Sequence, residues 1–161
     1  ILNSYVNEVI VVLGYESEKI KKVLEGLNIK IIYNNNYSQG ISTSIVNGVK
    51  FINSKSSGLL ICLGDMPLIE KKLINLMIKE FNILSSKSII YPFYKNRRGN
   101  PVLFSKHFID ELKCLNGDEG AKNIINCNKQ FLFKIKFNSN SIFTDIDTKN
   151  DLNNFLQNKY I

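Results

Sequence analysis

The sequence is poor in the residues that staple a chain, ligate soft metals or serve as nucleophile and base. Its 161 residues include no Trp, one His, two Met, three Pro and three Cys. Cys62, Cys114 and Cys127 are widely spaced and form no C-x-x-C pair, which excludes a disulfide framework and a cysteine-based zinc site. All three lie in apolar patterns and are expected in the core. The single His107 has no nearby Ser or Cys partner, so a catalytic triad is poorly supported. No apolar run approaches the roughly 20 residues that cross a bilayer, and no signal-peptide pattern is visible. Arginine is the scarcest cation: of 21 basic residues only Arg97 and Arg98 are Arg, side by side.

What remains is globular in composition, 44% apolar and 22% charged. A chain of this length buries roughly 70% of its unfolded surface, enough for one core without metal or disulfide. The expectation is a single cytoplasmic domain over residues 1–161. The formal net charge is +7, yet the lysines are scattered and build no basic arm. That distribution suits a small anionic substrate better than a nucleic acid or a membrane.

Strand and helix patterns alternate almost from the start. Glu8-Val-Ile-Val-Val-Leu13 and Leu59-Leu-Ile-Cys-Leu63 are continuous apolar runs, the mark of strands buried on both faces. Further strands are expected at Ile29–Tyr33, Ser88–Tyr91, Pro101–Phe104 and Gln130–Phe137, with Tyr94–Gly99 as a polar loop. Helices are expected after Ser17, which can cap the first, then from Ser42 to Phe51 and through Leu73, Leu76, Met77 and Phe81. Three more fit Lys106–Leu115, Asp118–Asn126 and Thr148–Lys159. Single helices between strands imply an α/β fold with a mostly parallel, Rossmann-like sheet covered on both sides. Such sheets bind ligands outside the carboxyl ends of their strands.

Four stretches carry candidate chemistry. Gly64-Asp65-Met66-Pro67 follows a buried strand, where Gly64 admits close backbone approach and Pro67 can start a helix. Asp65 there can hold Mg²⁺ against phosphate oxygens, or simply cap the turn. Thr148 and Asp151 form a capping-box pattern, which leaves Asp145 and Asp147 unexplained. Two residues apart on an extended chain, both carboxylates can face one cavity. Gly40-Ile-Ser42-Thr-Ser44 opens an apolar helix and offers hydroxyls and N–H groups to an anion, or is an ordinary helix start. Arg97-Arg98-Gly99-Asn100 places both planar guanidinium forks in one loop, suited to phosphate. Asp118 reads as an N-cap with a structural role.

The order of these motifs decides between the readings. Asn34…Gly-Ile-Ser-Thr-Ser-Ile-Val-Asn-Gly48, Gly-Asp-Met-Pro67, Arg-Arg-Gly-Asn-Pro-Val-Leu-Phe104, Leu-Asn-Gly-Asp-Glu-Gly-Ala-Lys122 and Asp-Ile-Asp-Thr…Asp-Leu152 together resemble the molybdenum cofactor nucleotidyltransferases. The last three motifs resemble the CTP:molybdopterin cytidylyltransferase branch in particular. The resemblance spans about Val9 to Phe155. It implies transfer of CMP from CTP to the phosphate of molybdopterin, with release of pyrophosphate. It also implies Mg²⁺ held by Asp65 and Asp147 as catalytic ligands, with Asp145 as companion. Gly40, Ser42, Ser44, Gly64, Arg97, Arg98 and Asn100 become the substrate-binding candidates, and a molybdenum hydroxylase apoenzyme a possible recipient.

The family opens with a strand and a Gly-rich Leu-Ala-Ala-Gly-type loop, followed by an Arg and a Lys, that bind the nucleotide phosphates. The strand at Val9–Leu13 corresponds to the family's second. The expectation is therefore a piece of a longer protein that, alone, lacks the central strand and binds nucleotide weakly. Two other functions stay open: transfer of another nucleotide such as GMP, or to a sugar phosphate, and a non-catalytic role in cofactor delivery.

Overall fold

The computed structural model describes residues 1–84 and 87–158. β1 (Ile10–Leu13) and β2 (Lys30–Tyr33) form a two-stranded parallel sheet, joined through helix α1 (Ser17–Val23). Helix α2 (Ile41–Lys50) then leads to a second sheet. That sheet contains β3 (Gly58–Ile61), β4 (Ile89–Tyr94), β5 (Arg97–Arg98), β6 (Val102–Ser105) and β7 (Leu132–Lys136). Its order is β3–β6–β4, with β7 on the other side of β4 and β5 against the end of β4. Helices α3 (Lys71–Ile83), α4 (Ile109–Lys113), α5 (Lys122–Cys127) and α6 (Lys149–Asn158) complete the chain. The end expected at Lys159 lies outside the described residues.

The α/β class holds, with one local reversal. β4 and β7 run parallel, but β6 is antiparallel to both β3 and β4. The cause is a tight turn where a polar loop is expected. Lys95 and Asn96 take φ values of 47° and 59°, the left-handed pair that closes a two-residue hairpin. A two-residue connection cannot cross over to a parallel neighbour. Beyond the turn, Phe93 faces Arg98 but Ile90 faces Leu103, so a bulge at Gly99–Pro101 separates β5 from β6.

Alternation along the strands builds a core on each face of this sheet. Ile89 and Phe104 join Phe108, Leu112, Ile124 and Ile125 on one side. Ile90 and Leu103 join Leu73, Met77, Ile135 and Ile142 on the other. Burying each such side chain contributes about 1.5–3 kcal/mol. Helix α2 links the sheets: Val49 belongs to the first core, while Gly48 lies against Val12 of β1.

Three local expectations change. Ser17 is the first helical residue rather than the cap, and Glu16 precedes it in a left-handed conformation without a side-chain cap. The apolar face of α1 stays largely uncovered, Val23 being 81% exposed, because a two-stranded sheet offers too little surface. Pro67 does not start α3, which begins at Lys71. Cys114 and Cys127 are exposed, since short α4 and α5 bury only Leu112, Ile124 and Ile125.

Candidate active site

Strand β3 delivers Asp65 to its carboxyl end, just past half-buried Cys62. The backbone carbonyl of Asp65 accepts the Ile146 N–H at 2.9 Å, which fixes residues 144–147 beside it. Asp145 and Asp147 are exposed on either side of half-buried Ile146, so both project away from the core. Asp65 is exposed, yet partial loss of hydration first, then the charges of Asp147 and Asp145, hold its carboxyl above its ordinary pKa, against a backbone hydrogen bond that favours ionisation. No Lys or Arg pairs with these carboxylates among the described residues.

This is an arrangement that a divalent cation would relieve. Among the described residues, no group of three or more His, Cys, Asp or Glu side chains can hold an ion alone. Mg²⁺ needs no such cage, because it is bound through one or two carboxylates plus water and substrate phosphates. Asp65 and Asp147, close enough for their charges to interact, would be the carboxylates to meet that demand. A Cβ added at Gly64 would meet nothing within 4 Å, so the space beside the carboxylate is open to a ligand. The Cys62 thiol is no competitor for the chemistry: burial pushes its pKa up to about 11, far from thiolate at neutral pH.

The arginine loop rests on the same stretch of chain. Asn100 donates its N–H to the Ile142 carbonyl at 3.1 Å, and a Cβ at Gly99 would lie 2.6 Å from the Ile142 side chain. The Arg97 guanidinium sits 4.5 Å from the centroid of the Phe143 ring. The segment from Ile142 to Ile146 thus carries the Arg97–Asn100 loop at one end and Asp65 at the other. Arg97 and Arg98 are both exposed and without ion pairs among the described residues. As neighbours on β5 they point to opposite faces, so a single ligand meets one of them.

The start of α2 is built differently from the anion cradle its sequence suggests. Ile41 donates its N–H to Asp118 Oδ1 at 3.0 Å, and Ser42 donates to the Gly117 carbonyl at 3.3 Å. These two groups are therefore already partnered by the chain. Ser42 is fully buried, and its Oγ has no partner among the described residues. Ser44 Oγ accepts from Asn34 Nδ2 at 3.0 Å, which leaves its hydroxyl hydrogen available. No hydrogen bond or ion pair described joins this cluster to Asp65.

Two residues that the motifs contain, Asn34 and Asp118, take roles that the sequence left unassigned or placed elsewhere. Asn34, 2% exposed, donates to Thr43 Oγ1 and Ser44 Oγ, and accepts from the Asn36 N–H and Asn47 Nδ2. It heads the first of the five motifs, but nothing local in the sequence shows that its amide would tie the polar loop to the start of α2. Asp118 caps α2 across 77 residues instead of its own helix, because α5 starts only at Lys122. Asp118→Ala is expected to cost about 1 kcal/mol, read as a lower urea midpoint with an unchanged slope. At the other end, Thr148 and Asp151 form the expected capping box, with Thr148 N–H to Asp151 Oδ2 at 2.8 Å and Asp151 N–H to Thr148 Oγ1 at 3.1 Å. Thr148's side-chain hydrogen bond, then its backbone one, lower the Asp151 pKa.

A family model for the MobA-like NTP transferase domain matches residues 1–132. The chain belongs to that family. This MobA-like domain is 26% identical over 152 residues to the molybdenum cofactor cytidylyltransferase of Escherichia coli strain K12, covering 91% of the chain and 73% of that relative. Among solved structures, the Rv0371c homologue from Mycobacterium sp. strain JC1 superposes with a TM-score of 0.84 at 22% identity, over 97% of this chain and 77% of that one. Rv0371c of Mycobacterium tuberculosis H37Rv in complex with manganese gives 0.80 at 17% identity, over 96% and 79%. These likenesses establish a nucleotidyltransferase fold. No helix among the described residues is long and apolar enough to cross a membrane.

Proposed function

We propose that this MobA-like domain transfers CMP from CTP to the phosphate of molybdopterin, releasing pyrophosphate. The reading is carried by the hydrogen bond from Ile146 to Asp65, which keeps two further carboxylates beside the open end of β3. The choice of CTP and molybdopterin draws on the cytidylyltransferase relative and on the Asp145-Ile-Asp147 motif. Cytoplasmic action and delivery to a molybdenum hydroxylase belong to the same proposal.

Asp65 and Asp147 would hold Mg²⁺, with Asp145 alongside. When bound, Mg²⁺ neutralises phosphate oxygens and so stabilises charge in the transition state. The chain's own work is positioning. An acceptor phosphate, whose second pKa is about 6, is already ionised at neutral pH and needs no protein base. Its oxygen attacks the α-phosphorus in line, and the bond to pyrophosphate breaks. Open space at Gly64 admits the substrate, and Arg97 or Arg98 offers a guanidinium to one anionic partner. Asn100 sets the height of that loop, and Gly40, Ser42 and Ser44 shape the start of α2, with the Ser44 hydroxyl free to donate to substrate.

The test is label transfer from α-labelled CTP, GTP or ATP to molybdopterin in Mg²⁺, with pyrophosphate release as the second readout. Transfer from CTP alone is expected. Transfer from GTP alone would replace the nucleotide and keep the chemistry. A folded protein inert with all three but still able to bind molybdopterin would favour the cofactor-delivery role.

A further inference from the structure

An open cavity of about 590 Å³ lies where β4 and β7 end side by side. Phe93 and Tyr94 of β4, Lys95 of the hairpin turn, Lys134 and Lys136 of β7, and Asn138 beyond it line this space, and no acidic residue does. Phe93 pairs with Lys136 in parallel register, so residues 93, 134 and 136 share one face of the sheet. The cavity also sits outside the carboxyl ends of two parallel strands, where α/β sheets receive ligands. It is a half-open groove, and its three lysines are exposed to incoming ligands.

Two of the three lysines lie against aromatic rings, and none is neutralised. The Lys134 ammonium lies 5.1 Å from the centroid of Phe93, and that of Lys95 lies 5.3 Å from Tyr94. None of the three lysines forms an ion pair among the described residues. An aromatic face fixes a cation but leaves its charge available, whereas a carboxylate partner would cancel it. Lysines along an edge strand such as β7 also discourage strand-to-strand aggregation. That purpose does not explain Lys95, which sits in a turn, in a left-handed conformation rarely adopted by its residue type.

We propose that this cavity is an anion site for a phosphorylated small molecule, bound through Lys95, Lys134 and Lys136. It lies outside the carboxylate site and needs neither nucleotide nor metal to bind its ligand. The test is a titration with inorganic pyrophosphate in EDTA, followed by the backbone amides of the whole chain in ¹⁵N NMR spectra. EDTA keeps any divalent cation from recruiting pyrophosphate to Asp65.

Saturable shifts are expected at residues 93–96 and 134–138. The Lys134→Gln/Lys136→Gln variant should weaken binding about tenfold or more, as loss of charge-assisted hydrogen bonds predicts. Lys95→Gln tests the same cavity away from the strand edge, so it serves where the double variant fails to fold. Shifts confined to other residues, or unchanged affinity in well-dispersed lysine variants, would overturn the site. So would a single-stranded oligonucleotide whose shifts extend from the cavity across the neighbouring surface. Because no nucleotide is present, failure here leaves the transferase reading standing, and an inactive transferase leaves this site standing.

Discussion

Asp65→Asn is expected to lower nucleotidyl transfer by about 10²–10³-fold, the loss typical of removing one preorganised electrostatic group. Asn keeps the size and shape of the side chain but cannot hold a divalent cation as a carboxylate does. Stability should move the other way. Folding raises the pKa of Asp65, chiefly through partial loss of hydration and then through Asp147 and Asp145. For a carboxyl raised in the folded state, the native protein binds the proton more tightly than the unfolded chain. Its relative stability is therefore greatest below the unfolded pKa and is lost as pH rises through the folded value. At neutral pH the wild type carries that penalty, and Asp65→Asn does not. Its melting temperature without metal should match or exceed that of the wild type, while stabilisation by Mg²⁺ with CTP should vanish. A variant that keeps full activity would remove Asp65 from the site.

The same raised pKa predicts how activity responds to acid. Proton and Mg²⁺ compete for the same oxygens, so kcat/KM should fall as pH drops through a value above that of a free aspartate. Raising Mg²⁺ should move that limb to lower pH. A limb indifferent to Mg²⁺ would assign it to another group.

Strands β1, β3 and β6 are legible because continuous apolar runs leave little alternative to burial. β5 is not, since it consists of Arg97 and Arg98 alone and its turn uses Lys-Asn rather than the usual Asn-Gly. Its existence follows from pairing with β4, a long-range fact that no local period encodes. The carboxylate cluster is half legible. The two-residue spacing of Asp145 and Asp147 matches their exposure on either side of half-buried Ile146, whereas their approach to Asp65 depends on one backbone hydrogen bond across the fold. Asp118 shows the limit of local rules: a residue with cap chemistry caps, but the helix it serves begins 77 residues earlier.

Gly40→Ala is expected to be the most damaging small substitution near the start of α2, at about 3–5 kcal/mol. Gly40 holds φ 104° and ψ 167°, a region essentially reserved for glycine, where a side chain costs about 1–3 kcal/mol. An added Cβ would also lie 2.5 Å from the Gly117 carbonyl oxygen and 2.8 Å from Asp118 Cα. Both are backbone atoms, so the clash is relieved only by moving the 117–118 turn away. That movement breaks the hydrogen bonds from Ile41 to Asp118 and from Ser42 to Gly117, each contributing about 1 kcal/mol. Such a loss is a large part of the roughly 5–15 kcal/mol that holds a domain together. Urea titration reads it as a marked fall in midpoint. Gly64→Ala is the control, because its Cβ meets nothing within 4 Å. Its midpoint should hardly move, while its KM for CTP rises if substrate occupies that space. Equal midpoints for the two variants would show that the contact between α2 and the 117–118 turn does not constrain the fold.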